Sequence, residues 1–251
     1  MSTEELNKQP DGVIVNNQLI TTDEIIERTK VFFRDRIAAN HLRNTEKLND
    51  IDKFKINPFL MKYLANFFTG SMDNESLARV LVYPRVLGTS INTTFGTQMQ
   101  YFVNEVLGSQ GSLSSGIDIE FVDRIDGMKK YCQIKAGPET INKDDVKTIK
   151  DHFKGLINLG RTNGIAISPV NCVVGLFYGS EDQLSGHYKA INEDYPVFAA
   201  QEFWHRLTGV ENFYDIISDA VSEVGDEFDG REVMESIIQN LANQIGEEEG
   251  F

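Results

Sequence analysis

The period of the apolar positions changes part-way along the chain. From residue 22 to 107 they recur mainly at three- and four-residue intervals, the spacing of one helix face. A helix start is predicted at Thr21 or Thr22, with Asp23 and Glu24 in its first turn, leading into the amphipathic run IIERTKVFFRDRIAANHL. NPFLMKYLANFFTG reads as a second helix, opening at Pro58 and closing on Gly70. A third is expected from Asn74 to Tyr83, with Pro84 as its stop. In a fourth, from Asn92 or Thr93 to Leu107, Phe95, Met99, Phe102, Val103 and Val106 share a face, and Gly108 ends it. Before these helices, residues 1–20 read as a tail with one short strand at Gly12–Val15.

The pattern then alternates. In residues 116–122, Ile117, Ile119 and Phe121 point one way and Asp118 and Glu120 the other, the period of a half-buried strand. Asp126-Gly127 predicts a hairpin turn. The next strand sets Cys132 and Ile134 on one face and Tyr131, Gln133 and Lys135 on the other, and Gly137-Pro138 closes it. Residues 142–158 read as a helix and 171–178 (NCVVGLFY) as a fully buried strand. Further helices are predicted over 201–207, 213–224 and 231–245. The expected class is α/β, a central mixed sheet flanked by helices with a helical N-terminal half.

Composition changes this picture little, but charge bears on partners. The hydrophobic fraction of 41% suits a globular chain of 251 residues, long enough for a core without metal or disulfide staples. Cys132 and Cys172 lie in apolar runs and read as buried free thiols. The N-terminus is polar and no run reaches membrane-spanning length, so a cytoplasmic protein with no membrane partner is expected. A net charge of −14 argues against nucleic acid at long range. The charges are unevenly spread, however. Residues 124–161 hold nine basic and five acidic side chains, while 223–249 hold nine acids and only Arg231 in opposition. A locally basic groove remains compatible with phosphate contacts, which are short in range.

The candidate chemistry lies on the hairpin. Asp118, Gln133 and Lys135 fall on the polar faces of adjacent strands, within about 5–8 Å of one another for plausible registers. A carboxylate and an amide oxygen there could hold a hard cation such as Mg²⁺, with water and phosphate oxygens completing its shell. A lysine beside them could steady the charge at a phosphorus centre. The same spacing also describes a solvent-facing hairpin with ordinary charged positions. The histidines, His41, His152, His187 and His205, show no zinc-ligand spacing. Asn142 reads equally as a helix cap or a contact to DNA. Thr89, Ser90, Asn92 and Thr93 read as caps before DNA contacts, and Phe203 and Trp204 as core.

The stretch SSGIDIEF…KKYCQIKAGPETINKDD resembles the PD-(D/E)XK nuclease core, and specifically type II restriction endonucleases that cut GGNCC- or GGWCC-type sites. Similar segments lie at 57–70, 85–100 (RVLGTSINTTFGTQMQ), 133–145, 175–179 (GLFYG) and 202–209 (EFWHRLTG), so the likeness covers about residues 55–217. It implies Mg²⁺-dependent hydrolysis of double-stranded DNA at a short palindromic site. It also implies a homodimer and a cognate DNA methyltransferase as genetic partner in a restriction-modification system. In its terms Asp118 is the metal-binding aspartate, although Ile117 stands where the pattern has proline. Lys135 is the catalytic lysine, and Gln133 stands where most of the superfamily has Asp or Glu. Asp118 and Gln133 become the metal ligands, with Gln100, or else Gln98 or Glu105, as a further contributor. Gln100, Thr140, Asn142, Lys143 and Lys147 become candidate DNA contacts. The chain is then expected to be a single nuclease domain, 1–251. Its tail is 1–20, its helical part 20–90, its catalytic core 91–217, and 218–251 an acidic helix and tail. The alternatives are a repair or phage-defence nuclease of the same superfamily, or a DNA-binding protein whose nuclease site is silenced.

Overall fold

The chain pairs its first strands inside the segment expected to be a tail. In the computed structural model, which describes residues 12–15, 18–107, 111–112 and 114–247, β1 (Gly12–Val15) and β2 (Gln18–Thr21) form an antiparallel hairpin. The expected β1 is present and β2 is an addition. α1 (Thr22–Phe32) follows at the predicted start and runs through a π-helical turn, Phe33–Ala38, into α2 (Ala39–Glu46). α3 (Pro58–Thr69) has the predicted punctuation. The Asn57 side chain accepts a hydrogen bond from Phe59 N, Pro58 sits in the first turn, and Gly70 closes the helix at φ 78°.

The stop predicted at Pro84 is not there. α4 (Asn74–Pro84) passes into a π turn, Arg85–Ser90, and then into α5 (Ile91–Leu107). Proline removes one N–H and crowds the preceding carbonyl, and the wider π turn directly after it keeps the backbone helical. Thr89, Ser90, Asn92 and Thr93 therefore lie within helical backbone and not at a helix start, which corrects the capping expectation. The expected end at Gly108 lies outside the described residues.

After α5 come β3 (Ile119–Val122), β4 (Lys129–Lys135), α6 (Lys143–Thr162), β5 (Cys172–Leu176), α7 (Gly186–Asn192) and β6 (Val197–Ala199). α8 (Ala200–Thr208), α9 (Phe213–Gly225) and α10 (Arg231–Glu247) complete the chain. The sheet order is β3-β4-β5-β6, with β3 antiparallel to β4 and the other neighbours parallel, so the sheet is mixed as predicted. β6 and α7 were not foreseen. β6 spans three residues and carries too short a pattern to read.

The described chain divides into two units, residues 1–32 with 98–222 and residues 33–97 with 223–251. In the first, α6 and α7 cover one face of the sheet through Ile149, Phe153, Leu156, Tyr188 and Ile191, all buried against Tyr131, Cys172 and Val174. An aromatic cluster also forms in this unit. Phe102, Phe177 and Phe213 surround Trp204, whose Nε1 donates to Phe177 O at 3.0 Å. Gly175 must be glycine, since a Cβ there would lie 2.3 Å from the Phe203 ring. The second unit is helical. Leu77, Leu81 and Val82 of α4 meet Ile237, Ile238 and Leu241 of α10, and Arg79 ties Glu75 to Glu235.

Candidate active site

The three candidate residues meet at one end of the β3–β4 pair. The register sets Ile119 across from Cys132, so Asp118, one residue earlier, lies across from Gln133. Asp118 N donates to Cys132 O at 2.9 Å, and Asp118 Oδ2 accepts from Ile134 N at 2.7 Å. The carboxylate thus takes over a ladder bond where β3 has ended, and the two bonds straddle Gln133. Lys135 is two residues on, on the same pleat face, half-buried, and no described residue pairs with its ammonium. β4 and β5 are parallel, with Lys135 beside Leu176. The site therefore lies at the carboxyl edge of the parallel strands, where ligands of open α/β sheets gather.

Gln133 was expected on a polar, solvated face, but it is only 5% exposed. α6 covers that face, and Gln133 Nε2 lies 3.2 Å from His152 Nδ1. No described residue donates to the amide oxygen. The imidazole rests on the backbone of Gly116, where a Cβ would fall 2.3 Å from Nδ1. Gly116 also takes φ 74°, a conformation disfavoured for residues with a Cβ. Sequence reasoning passed over His152 because it sought metal-ligand spacing. The available signal was its place, at i+3 from Ile149 and next to Phe153, on the stripe that faces the sheet.

These donors fit a hard divalent cation. Asp118 offers a carboxylate and Gln133 an amide oxygen that accepts no hydrogen bond from the described residues, a partial shell of the kind that water and phosphate oxygens complete. Among the described residues no group of three His, Cys, Asp or Glu could hold a metal by itself. Glu120, the next acid along β3, accepts from Lys129 Nζ and from Ser112 Oγ, each at 2.7 Å. Burial would raise its carboxyl, but those two donors hold it below the ordinary value.

The remaining candidates are spread around this edge. Asn142 caps α6, accepting from Asp144 N and Asp145 N, while Asp145 Oδ2 accepts from Asn142 N in return. Thr140 Oγ1 donates to Gly137 O at 2.8 Å and lies 3.1 Å from Tyr188 Oη, as a turn-forming residue does. Lys143 and Lys147 are exposed on the first turns of α6, with no ion pair among the described residues. Gln100 falls on α5, and its side chain lies outside the described residues. Gln98 Oε1 is buried without a partner in the described residues, and Glu105 is exposed.

The basic run is smaller than its count. Lys129 pairs with Glu120, Lys150 with Asp194, and Lys130 is 2% exposed. Lys130 Nζ donates to Asp126 Oδ2 at 2.7 Å and to Val170 O at 3.0 Å, so it is closed to phosphate. Gly137 lies under the Tyr178 ring, and Gly179 abuts Pro138. The AGP loop after β4 and the FYG segment after β5 thus pack on each other at the same edge.

A family model described as type II restriction endonuclease EcoO109I matches residues 21–229, most of the chain. No curated protein matches it.

Proposed function

The chain belongs to the type II restriction endonuclease EcoO109I family, and from that premise we propose that it cuts both strands of DNA at a short palindromic site of GGNCC or GGWCC type, using Asp118, Gln133 and Lys135. Membership makes it a site-specific deoxyribonuclease, a hydrolase with DNA as substrate, in a class that uses divalent metal ions. The observation that carries the site reading is the Asp118 Oδ2 bond to Ile134 N, 2.7 Å, beside Gln133, whose amide oxygen has no donor among the described residues. That bond immobilises the carboxylate at the strand edge without help from solvent.

Asp118 and Gln133 would hold Mg²⁺, which supplies an acidified water and neutralises charge on the phosphate. Lys135 holds its ammonium beside the same edge, where it steadies the attacking hydroxide and the charge that grows on phosphoryl oxygens. Lys143 and Lys147, charged and exposed on α6, receive backbone phosphates. Thr140 and Asn142 then act by shaping the loop that presents them. The enzyme works as a homodimer, since a two-fold site cut on both strands matches two-fold protein symmetry. The helix α3 supports this with Phe59, Tyr63, Phe67 and Phe68 all exposed. In the cytoplasm its own genome is protected by a cognate methyltransferase.

Digestion of a plasmid tests the reading. Discrete fragments are expected with Mg²⁺ and none without it. Lys135→Ala should abolish cleavage and leave DNA affinity within a few-fold, because the lysine acts on the transition state. A variant that cuts at a tenth of the native rate would remove Lys135 from the chemistry. Smearing in place of fragments would point to a nuclease without site specificity.

A further inference from the structure

A glutamine at a metal-binding position has a defect that a carboxylate lacks. Its two ends are nearly the same size, yet only one can bind a cation, and the other repels it. A protein that relies on such a residue must decide which end faces the metal. At Gln133 the surroundings make that decision. The amide nitrogen lies 3.2 Å from His152 Nδ1. With the amide nitrogen turned to the ring its N–H must donate, so this contact requires the imidazole to carry its proton on Nε2 and to accept at Nδ1. The ring is held in turn by the absence of a side chain at Gly116, which leaves it directly against the backbone two residues before Asp118. With the nitrogen engaged, the oxygen is the end left without a partner among the described residues.

We infer that His152 is a positioning residue, which fixes the Gln133 amide with its oxygen toward the cation and its nitrogen toward α6. This rests on the site reading proposed above and deepens it. His152 is not itself a ligand, and no proton moves through it. With the ring proton on Nε2, the reversed amide would put N–H groups where the cation belongs and leave the oxygen facing an imidazole nitrogen that has no proton to give. Removing a residue that hydrogen-bonds and orients a metal ligand typically costs about 10- to 100-fold in metal affinity or activity.

The test exploits the symmetry of a carboxylate. In Gln133→Glu both ends are oxygens, so nothing remains to be oriented. His152→Ala should raise the Mg²⁺ concentration for half-maximal cleavage by about tenfold or more. It should also reduce the rise in melting temperature that Mg²⁺ alone produces, a readout independent of turnover. His152→Asn, whose Oδ1 can stand in for Nδ1 as acceptor, should restore both. In the Gln133→Glu background, His152→Ala should change neither. An equal loss in both backgrounds would make His152 a packing residue and overturn the inference, as would a native-like His152→Ala. If His152→Ala fails to fold, His152→Leu keeps the bulk without the acceptor and takes the same tests. Activity surviving in Asp118→Asn would defeat the site reading itself, a result separable from all of these.

Discussion

Gln133 shows how much one residue's surroundings decide. As a sequence symbol it is a departure from an acidic motif. In the fold it is a buried amide with one end engaged by His152. Gln133→Glu should tighten Mg²⁺ binding while keeping activity, because attraction to a divalent ion gains a full charge. Gln133→Ala should lose most activity, having neither oxygen nor charge. Half-maximal Mg²⁺ concentrations for the three proteins on one plasmid check this, and an inert native enzyme awakened by glutamate would reverse the assignment. The two cysteines were legible in the sequence as buried thiols, and both are. Burial pushes Cys132 well above its ordinary range, with the Asp118 charge adding to it, and pushes Cys172 up to about 12. Neither cysteine therefore supplies a thiolate to the candidate site.

At the scale of elements, the β3–β4 hairpin carries the candidate site at its open end and a buried ion network at its closed end. Asp123 is fully buried. Its Oδ2 accepts from Arg206 Nη1 at 2.9 Å, and its Oδ1 accepts from Ile125 N at 2.8 Å. Lys130 and Asp126 join the same cluster, and Arg206 stacks on Phe198 at 4.3 Å. Asp123→Ala leaves cations buried short of a partner and should cost about 3–5 kcal/mol, read from urea unfolding. The cluster also sets an acid response. Burial would raise the Asp126 carboxyl, but the Lys130 ammonium, the Met128 N–H and the Arg206 charge hold it below its ordinary 3.8. Glu120 is held below 4.5 in the same sense, by Lys129 and Ser112 against burial. Carboxyls depressed on folding stabilise fully above their unfolded values and lose that contribution as pH falls through the folded ones. The melting temperature should therefore fall as pH drops from about 5 toward 3. Asp126→Asn should flatten the curve, and an unchanged slope would show that the cluster does not govern it. The alternation of the hairpin was readable because period two needs only local residues. The burial of Lys130 was not, since it depends on Val170 and Arg206, which approach from elsewhere in the chain.

For the whole molecule, the net charge of −14 opposes both DNA and a second copy at long range. For the self-contact proposed above, a face without acids meets the least repulsion, and α3, whose only charged residue is Lys62, is such a face. Phe59 is 93% exposed and Phe67 76%, with Leu60, Tyr63, Leu64 and Phe68 beside them. At ~200 Å² per aromatic side chain and somewhat less per leucine, scaled by exposure, these six side chains present roughly 700 Å². That is close to the ~800 Å² per partner of a standard interface. The double variant Phe59→Asp with Phe67→Asp should run as a monomer in light scattering with unchanged helicity, and should lose double-strand cleavage. A variant that remains dimeric would move the interface elsewhere.

By itself the sequence determined the periods, and with them the helical first half, the hairpin, the buried strand and the α/β class. Those features follow from which residues can bury a face alone or with near neighbours, and N-caps such as Asn57 and Asn142 are equally local. It also placed Asp118, Gln133 and Lys135 on facing pleats. Only the tertiary structure decided what lies over them. α6 folds onto the sheet and turns the supposed polar face of β4 into an interior, because Ile149, Phe153 and Leu156 need a surface to cover. His152 arrives on that stripe, and Gly116 makes room for it. Pro84 likewise reads as a stop when seen locally, yet a π turn carries the helix past it. Partners far apart in sequence set burial and hydrogen bonding, so a one-dimensional pattern could name the candidate ligands but not the histidine that meets one of them.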